Sequence, residues 1–152
     1  PFPCVLEIHY ALGAEGFSFK AIVRNTGTEP LPFHIGWHPY FKISENWGLS
    51  PKPTARLSKN KFSHPGEKIP YAGHQWTEEV DGAFYYSDNL QICNEDYILE
   101  ITAIAPIVQI FRPANAPFIA VEPVTGLGHL DFPWIEVPPG QHREIRSAII
   151  LE

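Results

Sequence analysis

Cys4-Val5-Leu6-Glu7-Ile8-His9-Tyr10-Ala11-Leu12, followed after Gly13-Ala14-Glu15-Gly16 by Phe17-Ser18-Phe19-Lys20-Ala21-Ile22-Val23-Arg24, is the stretch on which the fold class turns. Leu6, Ile8, Tyr10 and Leu12 fall on one face of an extended chain, and Glu7 and His9 fall on the other. That period of two predicts a half-buried strand. Past the glycine-flanked turn, Phe17, Phe19, Ala21 and Val23 again share a face, while Lys20 and Arg24 point away. Two alternating runs joined by so short a turn form an antiparallel hairpin.

Working outward, Asn25-Thr26-Gly27-Thr28 ends the hairpin in a turn, because asparagine and glycine supply side-chain hydrogen bonds and tolerate positive φ. Pro30 and Pro32 then hold the backbone extended. Next come Trp37-His38-Pro39-Tyr40-Phe41, an imidazole set between large rings and followed by proline. A histidine so placed is fixed in direction and partly dried, which suits a proton donor. A core histidine satisfied by a backbone carbonyl would occupy the same setting.

Beyond Phe41 the pattern weakens. Pro51, Pro53, Pro65, Gly66 and Pro70 interrupt residues 44–73, which read as a long polar loop with one short strand around Ala55-Arg56-Leu57. Residues 75–81 have room for one helical turn. Strands resume at 83–86, 90–93, 97–104, 107–111 and 118–122, and again at 134–137. Pro138-Pro139-Gly140 then turns the chain into a last strand, 142–151. Short strands without intervening helices predict an all-β, antiparallel sandwich. Sixteen prolines and eleven glycines spread over 152 residues leave no room for long helices. No internal repeat is visible, so residues 1–152 read as one domain.

The run N-x-G-x-x-P-L-P-F-x-x-G-W-H-P-Y-F, Asn25 to Phe41, resembles the signature of the aldose 1-epimerase (galactose mutarotase) family. The resemblance extends over nearly the whole chain but only over the later part of the family pattern. It implies a large twisted β-sandwich, here an incomplete version, and interconversion of the α and β anomers of a hexose or hexose phosphate. Ring opening needs a proton delivered to the ring oxygen and another removed from the anomeric hydroxyl; no metal or cofactor is required. The resemblance makes His38 the acid. It makes Glu122 the base, in Val121-Glu122-Pro123, shortly before the Val137-Pro138-Pro139-Gly140 turn. A carboxylate closing an apolar strand is expected to lie buried enough for its pKa to rise, although a strand-end acid at the sheet rim would look the same. A working site would hold the two side chains apart across an open cleft.

Asp81 falls where the family places an aspartate that binds sugar hydroxyls; as part of Asp-Gly it also reads as a turn residue. Gln109 is a further candidate for a hydroxyl contact. Arg112 is a candidate for an anionic group such as a sugar phosphate, or for a surface ion pair. Trp37, Tyr40 and Trp134 are candidate stacking surfaces or core fillers. His34 and His38 have the i, i+4 spacing of a helical zinc site. Pro32, Gly36 and Pro39 forbid that helix, and on a strand four residues span ~13 Å, so no metal site is predicted. His9 reads as strand surface, and His64, His74, His129 and His142 as loop or turn residues.

Composition narrows the partners. Hydrophobic residues make up 44% and charged residues 18%, which excludes a disordered chain. Net charge is −6 with no Lys/Arg cluster, so nucleic acid is not expected as a partner. No apolar run is long enough for a membrane helix. Cys4 and Cys93 read as free thiols, which points to the reducing cytoplasm. The chain opens on Pro-Phe-Pro-Cys inside a pattern, as a piece of something longer would. The family's amino-terminal part supplies an arginine and a second histidine or asparagine that have no match here. A homo-oligomer, or a chain supplying that missing part, is therefore expected beside the sugar substrate.

Overall fold

A computed structural model describes residues 2–59, 65–73, 76, 78–102, 107–127 and 134–152. Among these described residues fourteen strands follow in chain order: β1 (Cys4–Gly13), β2 (Gly16–Asn25), β3 (Leu31–Phe33), β4 (Tyr40–Lys42), β5 (Gly48–Ser50), β6 (Ala55–Lys59) and β7 (Pro65–Pro70). The second half adds β8 (Val80–Tyr85), β9 (Leu90–Cys93), β10 (Ile98–Ile101), β11 (Ile107–Arg112), β12 (Phe118–Val124), β13 (Ile135–Val137) and β14 (His142–Leu151). They form a six-stranded sheet ordered β1-β2-β14-β10-β9-β5, a second ordered β4-β12-β11-β8-β6-β7, and a small pair, β13-β3.

Alternation explains the hairpin directly. β1 and β2 pair from Cys4↔Asn25 to Gly13↔Gly16, so Leu6, Ile8, Tyr10 and Leu12 lie opposite Val23, Ala21, Phe19 and Phe17. β14 adds to the far side of β2 over nine residues. The two large sheets meet through one cluster: Leu90, Ile92 and Ile101 from the first, and Val108, Ile110, Ile119 and Val121 from the second. Even spacing along β11 and β12 sends Val108, Ile110, Ile119 and Val121 into this core, and so turns Gln109 and Glu122 to the opposite face.

Asn25 ties the turn after the hairpin to the end of the chain. Its side-chain amide donates to the carbonyls of Glu29 at 2.6 Å and Val137 at 2.8 Å, and its Oδ1 accepts from the Gly27 amide at 2.8 Å. A buried Asn satisfied on both sides sets how the segment from Leu31 leaves β2.

The expected short strand around Ala55-Arg56-Leu57 is β6. Several other expectations are corrected. The rest of the long loop at 44–73 also contains β5 and β7; prolines sit at strand ends and on the outermost strand, where no ladder donor is lost. Asp81-Gly82 is no turn but the middle of β8, paired with Phe111 and Ile110. His142 opens β14 and is not a turn residue. His64, His74 and His129 lie outside the described residues, as do parts of the expected helical turn at 75–81 and of the strand at 97–104.

Candidate active site

Four neighbouring lengths of chain build the site. β12 lies between β11 and β4, with Gln109 opposite Glu122 and Tyr40 opposite Ala120. Before β4 the chain keeps to the flank of β12. The Val121 amide donates to the Pro39 carbonyl at 3.3 Å, the Trp37 amide to the Pro123 carbonyl at 3.1 Å, and the Thr125 amide to the Ile35 carbonyl at 2.8 Å. Gly36 bridges Val124 at the middle of this ladder, where an added Cβ would stand 2.7 Å from Val124 Cγ1. The missing side chain is what lets the segment close on β12.

This ladder delivers His38 to Glu122, with Nε2 3.0 Å from Oε1. The imidazole is 52% exposed and the carboxylate 12%, so the glutamate forms the floor and the histidine stands over it toward solvent. Burial pushes the Glu122 carboxyl above the usual carboxylate range; a positively charged His38 opposes the rise and the Asp81 carboxylate adds to it. The expected open gap between the two side chains is closed by their direct contact.

Asp81 joins from the next strand but one. Gln109 Nε2 donates to Asp81 Oδ1 at 2.7 Å, so Glu122, Gln109 and Asp81 run across one face of β12, β11 and β8. Beside Asp81 a hollow of about 420 Å³ opens, with Arg56, Ser58 and Glu79 among its polar lining. Tyr40 belongs to the same group: its ring stacks on His38 at 4.9 Å and takes an edge contact from Phe118 at 5.6 Å.

Other candidates are placed elsewhere. Trp37 turns away from His38 and packs on Phe17 at 5.5 Å and Phe19 at 5.6 Å, joining the first sheet to the site segment. A ring held there packs against the hairpin and not on the His38–Glu122 pair. Arg112 is 7% exposed and donates to the carbonyls of Ala116 at 3.0 Å and Glu78 at 3.4 Å, with Trp47 beneath its guanidinium. It follows Val108 and Ile110 on the core side, the face opposite Glu122. Trp134 stacks on His34 at 4.0 Å.

Sequence reasoning passed over that His34–Trp134 pair. Both His34 ring nitrogens are buried without a hydrogen-bond partner, and burial holds the imidazole below its usual range. Gly126 makes the room, since a Cβ there would stand 2.2 Å from the ring. The signal available was the spacing His34, Gly36, His38 on a strand, which sets all three on one face. Among the described residues no group of three or more His, Cys, Asp or Glu side chains gathers to suit a metal ion. Nor is any helix there long and apolar enough to cross a membrane.

Comparison with known proteins adds two findings. The family described as aldose 1-epimerase matches residues 1–91. Among solved structures, a protein provisionally assigned as an aldose 1-epimerase from Escherichia coli K12 superposes with a TM-score of 0.85 at 19% identity, over 100% of this chain and 61% of its own. A galactose mutarotase-like protein from Lactobacillus casei ATCC 334 gives 0.83 at 19% identity, covering 100% and 64%. A galactose 1-epimerase from Lactobacillus acidophilus NCFM gives 0.79 at 14% identity, covering 100% and 58%. The chain thus spans about three-fifths of the length of these structures and shares their fold. No curated relative matches it in sequence.

Proposed function

The chain belongs to the aldose 1-epimerase family, and on that premise we propose that it interconverts the anomers of a hexose or hexose phosphate by acid/base ring opening. His38 donates its proton to the ring oxygen while Glu122 removes the proton of the anomeric hydroxyl. The ring C–O bond breaks as the carbonyl forms. After rotation about the bond between the first two carbons, the ring closes on the other face and both protons return. Gln109 and Asp81 supply hydroxyl contacts beside the base, and Tyr40 offers a ring face next to the acid.

The observation that supports this reading is the His38–Glu122 pair, one partner half exposed and the other nearly buried, at 3.0 Å. Such a contact sets an imidazole beside a carboxylate, and a sugar entering the site would displace one from the other. A base raised above the ordinary carboxylate range is also a stronger proton acceptor once ionised. The free thiols Cys4 and Cys93 favour a reducing compartment such as the cytoplasm.

A second reading, a carbohydrate-binding sandwich without turnover, is favoured by the closed contact itself: two side chains that satisfy each other need no substrate. Exchange spectroscopy of a reducing hexose, following anomer interconversion with and without the chain, separates the two. Acceleration that His38→Asn abolishes supports the isomerase; sugar binding without acceleration supports the binding domain.

A further inference from the structure

We infer that Thr125 is a positioning residue for the proposed reaction: its hydroxyl clamps Ile35 to the end of β12 and thereby holds His38 over Glu122. The inference rests on the reading in which these two side chains are acid and base. Tyr40 faces Ala120, and Gly36 faces Val124. Counting inward from either pair sets His38 opposite Glu122, so one antiparallel register runs from Gly36 to Lys42. The backbone bonds fall on either side of His38–Glu122 and not across it. Facing residues of that kind bring their side chains closest, and the 3.0 Å contact between Nε2 and Oε1 follows. Their own backbones do nothing to fix it. The rungs on either side must.

Two of those rungs are halved by proline. A regular rung exchanges two N–H···O=C bonds between facing residues. Pro39 faces Val121 and has no N–H, so the bond from the Val121 amide, 3.3 Å, stands alone. Pro123 faces Trp37, and again one bond is left, from the Trp37 amide at 3.1 Å. Ile35 faces Thr125, and here both backbone groups of Ile35 are engaged. The Thr125 amide donates to the Ile35 carbonyl at 2.8 Å. The Thr125 hydroxyl accepts from the Ile35 amide at 2.8 Å and donates to the Ile35 carbonyl at 3.1 Å. A side chain thus completes the rung that no proline has weakened. Its β-branch restricts χ1, so the hydroxyl stays aimed at Ile35. Gly36 selects the register by its steric fit to Val124, and Thr125 holds the segment down in that register.

Thr125→Val keeps the branched shape and removes the hydroxyl, while Thr125→Ser keeps the hydroxyl. Thr125→Val should lower kcat by ~10–10²-fold, since misplacing a reacting group by about 1 Å costs on that order. KM should stay that of the parent, because Asp81 and Gln109 belong to β8 and β11, outside the clamp. Thr125→Ser should keep the parent's kcat. Two NMR readouts need no turnover. The His38 ring protons, shifted by the Tyr40 ring stacked at 4.9 Å, should move toward those of a solvated histidine in Thr125→Val and hold in Thr125→Ser. In the parent the Ile35 amide should exchange slowly with solvent, a measurement that stands even where Thr125→Val fails to fold. A Thr125→Val variant with the parent's His38 signals and kcat, a Thr125→Ser variant as impaired as Thr125→Val, or a freely exchanging Ile35 amide would each overturn the clamp. A parent without anomer exchange would overturn the acid/base reading instead, and the His38 and Ile35 signals would still decide the clamp.

Discussion

In the proposed reaction Glu122 carries two opposed demands: it sits on a nearly buried floor, and it must be ionised to accept a proton. Its folded-state pKa is raised, so the ionised form destabilises the fold, and that penalty grows as pH rises through the folded pKa. Glu122→Gln keeps the shape and removes the charge. It should therefore raise the melting temperature at neutral pH, and the gain should vanish below the ordinary carboxylate pKa, where the parent is also neutral. The same substitution, or His38→Asn, should cut any anomerase rate by ~10²–10⁴-fold, the usual contribution of a positioned acid or base. Activity should also fall on acidification at a higher pH than an ordinary glutamate would give. Thermal melts over a pH series and a pH–rate profile check these together; an unchanged rate in both variants would remove the roles assigned here. Arg112 makes the contrasting case. Buried against two carbonyls and Trp47, it should lose stability as Arg112→Ala by about 1–3 kcal/mol, the cost of leaving buried acceptors unmet. Chemical denaturation reads that loss, and the ratio of phosphorylated to free sugar affinity should not move.

At the scale of the elements, the site segment is held from both sides. Trp37 anchors it to β2 through Phe17 and Phe19, while the backbone ladder from Ile35 to Pro39 anchors it to β12. A fully buried Trp→Ala change costs ~3–5 kcal/mol; Trp37 is half-buried, so Trp37→Ala should cost about 2 kcal/mol. In denaturant unfolding it should shift the midpoint while leaving the proposed sugar contacts at Glu122 and Asp81 in place. What the sequence made legible follows the strength of the alternation. β1, β2 and β14 run for ten residues each and announce themselves, and the motif from Asn25 to Phe41 places His38 and points to Glu122. β5 and β4 have three residues, too few for a period to register. β7 begins and ends in proline, which reads as a break until its place at the sheet edge is known. Asp81-Gly82 carries turn chemistry inside a strand because its place beside Gln109 is set by β11, a long-range partner invisible locally. Arg112 was unreadable for a related reason: a charge on the core face becomes tolerable only when carbonyls from Glu78 and Ala116 meet it.

At the scale of the whole molecule, the floor of the site and its open side have different standing. Glu122, Gln109, Asp81, His38 and Tyr40 all come from the second large sheet and its flanking segment, so the groups to which the proposed reaction gives the roles of acid, base and hydroxyl contacts lie together in this chain. The solved structures that share the fold are longer: this chain spans 61% of one and 64% of another. A sugar resting on the described face would meet these groups from one side while its other hydroxyls faced water. Each unmade hydrogen bond forfeits about 0.5–1.5 kcal/mol of net binding, and three or four of them separate a micromolar ligand from a millimolar one. The chain alone should therefore bind free hexoses with Kd near or above about 1 mM and turn them over slowly, with His38→Asn abolishing even that rate. Ligand-observed NMR titration supplies the affinity and exchange spectroscopy the rate. Micromolar affinity with brisk interconversion would mean that one sheet face completes the site.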